Sequence, residues 1–511
     1  MAGQLVKSKN TVMLATTGHS DLIRMLRTHG MIVFLGGINL ILIQWVLVRE
    51  LTALLLGTEL VVLGVSVAYF VGLSVGYWAS SKIRQSWFVT LGLLTLAMHL
   101  ALPIWFRLLV AALSSTGAYW AAFIILPVLT VFGVSSFYSI LLPRFIDHTE
   151  GNLPSLYALE LLGSAVGVLA LVLLGGMGLT AVYLLYCASL LLMLVALRAR
   201  PTLILLTGAL SFAWMMLFPT LNNLTNAVWY EQLHSLPQGT VTRFSAYSAY
   251  QKVDVLEDPA GNRYLYLDGL LHFGTDRWSR LNVIMGSVPA ALLSPQNTLV
   301  IGAGSMQIER LIAEQGGQVT TVELDPVVVE ASTRYFDGVN HMSSLPNRSI
   351  VIDDAKHFIA NTGQRFDLVV TDVPAAFSIQ TATLYSTPFY AQIADHLEPD
   401  GVLVVNLTTR FQPESEVSRR IAASLLTVFD EVIIVTSESS RLSFAFAGKD
   451  LPFDFLELQA ALEANDEAAY TLFHRTSIEA IVANARPISL DSMELVLKIS
   501  ADWIADRFTW R

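Results

Sequence analysis

The sequence predicts two halves of different class: an α-helical membrane bundle of about seven spans, then an α/β half in which a small β lobe precedes a doubly wound parallel sheet. Three observations carry this. With 54% hydrophobic residues, 14% charged residues and a mean hydropathy of +0.56, the 511-residue chain is too apolar for a soluble protein. The apolar residues crowd into 31–220, whereas 221–511 has ordinary globular composition. Within the second half, Leu299–Asp325 reads strand, glycine turn, helix, strand, acid.

Residues 1–30 are a polar tail without the pattern of a cleavable signal peptide. Windows of 18 or more apolar residues then fall at roughly 31–56, 60–80, 87–110, 118–142, 154–174, 178–197 and 202–219. Polar or glycine-bearing breaks separate them, among them Gly57–Glu59, Ser81–Arg84, Arg144–Asn152, Gly175–Gly176 and Arg198–Pro201. Two GxxxG spacings, Gly72/Gly76 and Gly163/Gly167, read as close helix packing. Arg49, Glu50, Arg107 and Glu160 are ionisable at membrane depth. Arg49 is expected to pair with Glu50 near a helix end and Arg107 to snorkel to an interface. For Glu160, one turn inside its span, a membrane-embedded contact to a polar substrate stays open.

Lys7, Lys9, Arg24, Arg27, Lys82, Arg84, Arg144, Arg198 and Arg200 fall on the amino-terminal side of an alternating bundle, with Arg49 and Arg107 opposite. The positive-inside rule therefore puts the amino terminus in the cytoplasm. Seven full spans would carry the second half outside, where the cell does not make adenosyl cofactors. The last window, Thr202–Pro219, is barely long enough and ends at a proline. It is expected not to cross fully, or the count to be off by one, which leaves 225–511 in the cytoplasm.

In the second half, residues 225–280 alternate as strands around a Gly261-Asn262 turn and form the small β lobe. From 281 to 511 helix and strand alternate as a parallel sheet requires. Strands are expected at 299–301, 319–322, 349–352, 367–371, 402–407, 431–435 and 442–447. Ligands of such sheets bind beyond the carboxyl ends of the strands. Gly302 and Gly304 open a turn there, and Glu323 lies about 20 residues on, placed to hold a ribose diol. Asp354 and Asp372 also fall just past strand ends. Each has a plain structural alternative: glycine turns are common, and Asp353, Asp354 or Asp372 can cap helices or loops. Their coincidence at successive strand ends argues for one shared adenosyl-ligand site.

Charge and cysteine narrow the partners. A net charge of −10 argues against nucleic acid. The single cysteine, Cys187, lies in an apolar span and excludes an intrachain disulfide or a thiolate metal cluster, and no metal is expected. The apolar half implies the lipid bilayer as a partner and a homo-oligomer stays open, while a small-molecule amine is the partner that the family resemblance given next implies.

From about Tyr247 to Lys449 the chain resembles the spermidine synthase family, the polyamine aminopropyltransferases. The resemblance rests on Tyr250–Val255, Leu267-Asp268-Gly269, the glycine loop, Val322–Asp325, Val351–Ala355, Phe366-Asp367 leading into Asp372, and Leu384–Tyr390. Gln44–Glu50 and Leu156-Tyr157-Ala158 resemble the multi-pass region fused to some members. The resemblance implies a Rossmann-like, methyltransferase-type domain and decarboxylated S-adenosylmethionine as co-substrate. It implies Gln251 and Glu323 on the cofactor ribose, Gly302, Gly304 and Ser305 in the cofactor loop, and Asp354-Ala355 at the adenine edge. Asp372 becomes the catalytic base, and Tyr385 a substrate-side residue. Departures accompany it: Ser305 stands for the loop Asp that would grip the aminopropyl ammonium, Met306 and Gln307 for glycines, and Arg280-Leu281-Asn282 for Tyr-His-Glu. No carboxylate lies between Asp372 and Tyr385. Glu309, one turn along the helix from Ser305, is the candidate substitute on the substrate side. The leading expectation is a membrane-integrated aminopropyltransferase-like enzyme, with putrescine the acceptor that the family implies. The alternatives are a methyltransferase using S-adenosylmethionine on a membrane-delivered acceptor and a non-catalytic adenosyl-ligand sensor coupled to the membrane half.

Overall fold

The computed structural model describes residues 5–55, 57–136, 138–140, 143, 153–174, 178–276, 280–302, 304–437, 442–465 and 468–509. They fall into two compact units: Met1–Leu55 with Val61–Val241, and Leu56–Leu60 with Thr242–Arg511.

The first unit is helical: α1 (Leu5–Leu54), α2 (Glu59–Ala79), α3 (Phe88–Leu100), α4 (Leu102–Ser115), α5 (Ala122–Leu129), α6 (Leu153–Leu174), α7 (Leu179–Ala196) and α8 (Pro201–His234). Among the described residues five helices are long and apolar enough to cross a membrane, not the expected seven: His29–Leu54, Glu59–Lys82, Pro154–Leu174, Leu179–Ala196 and Pro201–Leu233. The third expected window is a pair, α3 and α4, bent by 61°. Pro103 in the first turn of α4 has no N–H to continue the ladder from α3. The fourth window breaks into a 3-10 turn, α5 with Pro127 inside it, and a π-helical turn over Thr130–Ser135. The last window is corrected in the other direction. Pro219 sits inside α8, which runs 34 residues to His234, so residues 225–234 are helix and the β lobe begins only at Val241. The breaks expected at Arg144–Asn152 and Gly175–Gly176 lie outside the described residues.

Glycines set the helix spacing in this unit. A Cβ on Gly163 would stand 2.0 Å from the Phe34 carbonyl oxygen, and one on Gly37 2.2 Å from that of Glu160, so α1 and α6 touch backbone to backbone. Gly72 and Gly76 do the same against Val131–Ser139. Glu50, expected beside Arg49, forms a cross-helix pair with Arg107, and Arg107 does not snorkel. Arg107 Nη2 lies 2.5 Å from Glu50 Oε1 and its Nε 3.2 Å from Oε2, with both side chains essentially fully buried. Arg107 Nη1 also donates to Asn222 Oδ1 at 2.8 Å and to the Asn222 carbonyl at 3.1 Å. A buried charge persists only when so paired and bonded. Glu160 is buried as well, 8% exposed.

The second unit holds two sheets. β1 (Val241–Tyr247), β2 (Lys252–Glu257), β3 (Arg263–Leu267) and β4 (Leu270–Gly274) form a four-stranded meander in which β2, β3 and β4 pair antiparallel. Within it Lys252 Nζ and Asp254 Oδ2 form a fully buried pair at 2.7 Å. The eight-stranded sheet comprises β5 (Asn297–Ile301), β6 (Gln318–Glu323), β7 (Arg348–Ile352), β8 (Phe366–Thr371), β9 (Leu397–Asn406), β10 (Glu431–Ser437), β11 (Ser443–Gly448) and β12 (Tyr470–Phe473) in the order β12-β10-β11-β9-β8-β5-β6-β7. β7, β6, β5, β8 and β9 run parallel, while β11 is antiparallel to its neighbours. This is the expected methyltransferase-type Rossmann-like sheet. All seven expected strands are present, and β12 is an addition. Its helices include α9 (Gln307–Ala313), α10 (Pro326–Tyr335), α11 (Ala355–Asn361), α12 (Ile379–Thr383), α13 (Thr387–His396), α14 (Glu416–Val428) and, at the carboxyl end, α15 (Met493–Thr509). Alternate residues of β5 serve two cores: Leu299 and Ile301 pack with Ile359, Tyr385 and Phe389, and Val300 with Ile308 and Ile312. Apolar side chains on both faces are the mark of a strand covered on both sides.

The chain order reverses between β5 and β8, which makes the crevice beyond their carboxyl ends the expected ligand position. There the Asp372 N–H donates to the Ile301 carbonyl at 3.0 Å and the Gly302 N–H to that of Val322 at 2.9 Å. Gly302 has φ +85°, and a Cβ on it would lie 2.3 Å from the Asp372 carbonyl oxygen. Gly302→Ala is therefore expected to cost about 2–5 kcal/mol through strain and overpacking. A thermal scan of the purified chain measures it, and an unchanged Tm would contradict the close approach.

Candidate active site

Four strand ends bring the expected residues together. Beyond β5, Gly302 and Gly304, the latter with φ +45°, lead through Ser305 into α9, whose preceding residue Met306 also takes a left-handed φ of +60°. This turn is tied down from α10 and from the segment after it: Ser332 Oγ donates to the Gly304 carbonyl, and Asn340 Nδ2 to that of Ser305 at 3.1 Å. A Cβ on Gly304 would meet nothing within 4 Å, so the turn opens onto free space rather than packed core.

Beyond β6, Glu323 is 9% exposed and its Oε1 accepts the Asp325 N–H at 2.9 Å. Asp325 caps α10 by accepting from the Val327 N–H at 3.0 Å. Its other oxygen accepts from Ser248 Oγ at 2.7 Å and from Gln251 Nε2 at 3.2 Å. Gln251, from the β lobe, thus reaches the end of β6 beside Glu323. Asp325 and Ser248 as the holders of Gln251 were missed in the sequence, although Asp325 stands in the Glu323-Leu324-Asp325 run that carries the resemblance.

Beyond β7, Asp354 caps α11, accepting the Lys356 N–H at 2.8 Å. The plain structural role therefore holds for one oxygen, while the other lies 3.8 Å from Lys356 Nζ. Ala355 follows, buried. Asp353 pairs instead with His357 at 2.7 Å.

Beyond β8 stands Asp372. It is half-buried by surface, and burial of its carboxyl pushes its pKa up to about 6, opposed by a hydrogen bond from Asn406. Asn406 ends β9, and its Oδ1 accepts from the Thr408 N–H at 2.8 Å, which leaves the amide N–H groups for Asp372. Nothing in the sequence marked Asn406 except its place at a strand end.

Two expected substrate-side residues sit differently from Asp372. The Tyr385 hydroxyl donates to the carbonyls of Val373 at 2.9 Å and Pro374 at 3.2 Å, so it braces the chain just after Asp372. Glu309 is 1% exposed. Its Oε1 accepts from Thr321 at 3.2 Å, and its Oε2 has no hydrogen-bond partner. Burial pushes its pKa up to about 8, and the charge of Asp372 adds to the rise. At neutral pH Glu309 is a neutral acid in the first turn of α9. The departures from the family pattern also meet: Asn282 Nδ2 donates to Gln307 Oε1. Among the described residues no group of three His, Cys, Asp or Glu is placed to hold a metal ion.

Chemically, the arrangement presents carboxylates at the ends of β6 and β7 for hydroxyl and amino groups of a nucleoside. Beside them stands one carboxyl, Asp372, tuned toward the neutral range where proton transfer is efficient.

Comparison with known proteins agrees with this geometry. The family model for the spermine/spermidine synthase domain matches residues 281–438. A polyamine aminopropyltransferase of Oceanobacillus iheyensis is 33% identical over 168 residues, covering 32% of this chain and 33% of that protein. One of Mycobacterium tuberculosis is 34% identical over 31% of each chain. The polyamine aminopropyltransferase of Lachnospira eligens is 26% identical over 43% of this chain and 82% of its own length. The chain thus spans about a third of the length of the first curated relatives it matches. Residues 281–438, which carry the glycine turn, Glu323, Asp354 and Asp372, belong to the spermine/spermidine synthase family.

Proposed function

We propose that the chain is a membrane-integrated aminopropyltransferase that moves the aminopropyl group of decarboxylated S-adenosylmethionine to an amine, putrescine being the acceptor that the family suggests. The observation that carries this is Asp372: a carboxyl raised to about 6 by burial, at the switch point of the sheet and beside the nucleoside-facing ends of β6 and β7. The donor's residues are present. Glu323 and Gln251 would hold the ribose, Asp354-Ala355 the adenine edge, and the open Gly304 turn would admit the sulfur end. The amine lone pair forms a bond to the carbon beside the sulfonium as the C–S bond breaks. Its electron pair stays on sulfur, methylthioadenosine leaves, and the nitrogen's proton passes to Asp372. Alignment of the two reactants supplies most of the acceleration, and the base on the order of 10²–10⁴.

Donor choice has a second reading. With Ser305 in place of an acid and Glu309 neutral at pH 7, the loop holds no ready counter-ion for an aminopropyl ammonium. This favours methyl transfer from S-adenosylmethionine itself as the competing activity. Assay of both donors with the purified chain separates the readings: spermidine from putrescine supports the first, and a methylated product the second.

Three outcomes are expected. Glu323→Ala should weaken methylthioadenosine binding by roughly 1.5–3 kcal/mol, the loss of a hydrogen bond to a charged group; calorimetry that found unchanged affinity would remove Glu323 from the ribose. Asp372→Asn should abolish turnover while leaving methylthioadenosine affinity within about threefold. In the unaltered chain kcat/KM should fall as pH drops through about 6, because a raised carboxyl loses its basic form there. The Asn variant should lose that limb, and a wild-type kcat in it would show that Asp372 is not the base. The catalytic half is placed in the cytoplasm by the supply of adenosyl donors alone, since the full length of α8 removes the short-span argument. A reporter fused at the carboxyl terminus tests this, and an extracytoplasmic signal would overturn it.

A further inference from the structure

The turn between the first two apolar helices groups with the catalytic unit rather than with the helices it joins. Thr58 is fully buried. Gly57 takes φ +52°, and a Cβ there would lie 3.2 Å from Cβ of Asp268, the residue whose Oδ1 accepts the Lys252 N–H at 2.8 Å. Glu59 is the first residue of α2, so its N–H has no acceptor within the helix. It donates instead to the Phe377 carbonyl at 3.1 Å.

Phe377 belongs to the segment 373–378 that follows Asp372. That segment is held at several points. Tyr385 bonds the carbonyls of Val373 and Pro374, and the Phe377 N–H closes a three-residue turn onto Ala375. Ser378 opens α12 through a capping box with Thr381. The Phe377 ring packs at 5.2 Å, centroid to centroid, on Trp503 of α15. The residues suited to the adenosyl donor stand at the ends of β5, β6 and β7, so an amine must approach Asp372 from the other side, where 373–378 runs.

We propose that the Gly57–Glu59 turn is a positioning element of the transfer site, its Glu59 N–H fixing Phe377 and with it the wall along which the amine reaches Asp372. This rests on the aminopropyl-transfer reading for its kinetic consequence, but not for the contact itself.

Proline at the first position of a helix is well tolerated, so Glu59→Pro removes this one donor while α2 persists. Glu59→Ala removes the side chain and keeps the N–H. In the full-length detergent-solubilised chain, Glu59→Pro is expected to raise KM for putrescine roughly fivefold or more, the factor that one lost hydrogen bond gives. KM for decarboxylated S-adenosylmethionine should stay within about twofold, and amide hydrogen exchange over 375–379 should quicken. Glu59→Ala should match the unaltered chain in all three. Equal putrescine KM and equal exchange in the Pro variant would overturn the proposal, as would a matching defect in Glu59→Ala. If Glu59→Pro does not fold, Gly57→Ala, which strains the turn against Asp268, must quicken the same exchange, and unchanged protection there also overturns it. If the unaltered chain transfers nothing to putrescine, the functional reading fails, and the exchange data still decide the contact.

Discussion

The approach of Gly302 to the carbonyl of Asp372 is the constraint on which the α/β half depends. Two parallel strands, β5 and β8, end side by side, and the chains leaving them turn to opposite sides of the sheet. The opening between them exists only if the first residue past β5 has no side chain and accepts a positive φ. Once that is met, the Gly302 and Asp372 amides bond the neighbouring strands. Asp372 and the glycine turn then share one floor. Glu323 and Asp354 follow because β6 and β7 extend the same parallel register outward, and Asn406 because β9 extends it on the other flank.

Around that floor the charged groups are set by layers behind them. Gln251 is aimed by Asp325, which is itself held as the cap of α10. Asp372 is balanced between burial, which favours its protonated form, and the Asn406 amide, which favours the carboxylate. Glu309 lacks such a donor on its second oxygen and stays protonated at neutral pH. Two acids are thus driven to different protonation states by their surroundings. One is available as a base, while the other is a neutral neighbour that adds no second negative charge beside it.

The helical half solves a different problem with the same economy of groups. Apolar helices gain little by burying apolar surface from lipid, so their association depends on close backbone contact and on satisfied polar groups. Gly37 and Gly163 provide the first, letting α1 and α6 meet at their carbonyls. Glu50, Arg107 and Asn222 provide the second, from α1, α4 and α8, residues far apart in the chain.

Much of this was legible in the sequence because it depends on local pattern. Apolar runs, the glycine turn and acids at fixed distances past strand signals follow from the periods of helix and strand, and they located the two halves, seven strands and the residues at the strand ends. Helix breaks were less legible, since Pro103 divides one apolar window into a bent pair, whereas Pro219 leaves a 34-residue helix intact. Hydropathy counts both prolines alike, although Pro103 lies in the first turn of α4 and Pro219 inside α8. Pairings across the chain were not legible at all. Arg107 with Glu50, Asn406 with Asp372, Asp325 with Gln251, and the turn at Glu59 with Phe377 each join residues whose separation is set only when the elements pack. Sequence alone determined which groups line the strand ends, because that is a matter of register. The tertiary structure decided which of them are charged and what holds them, because burial and hydrogen-bond partners come from distant segments.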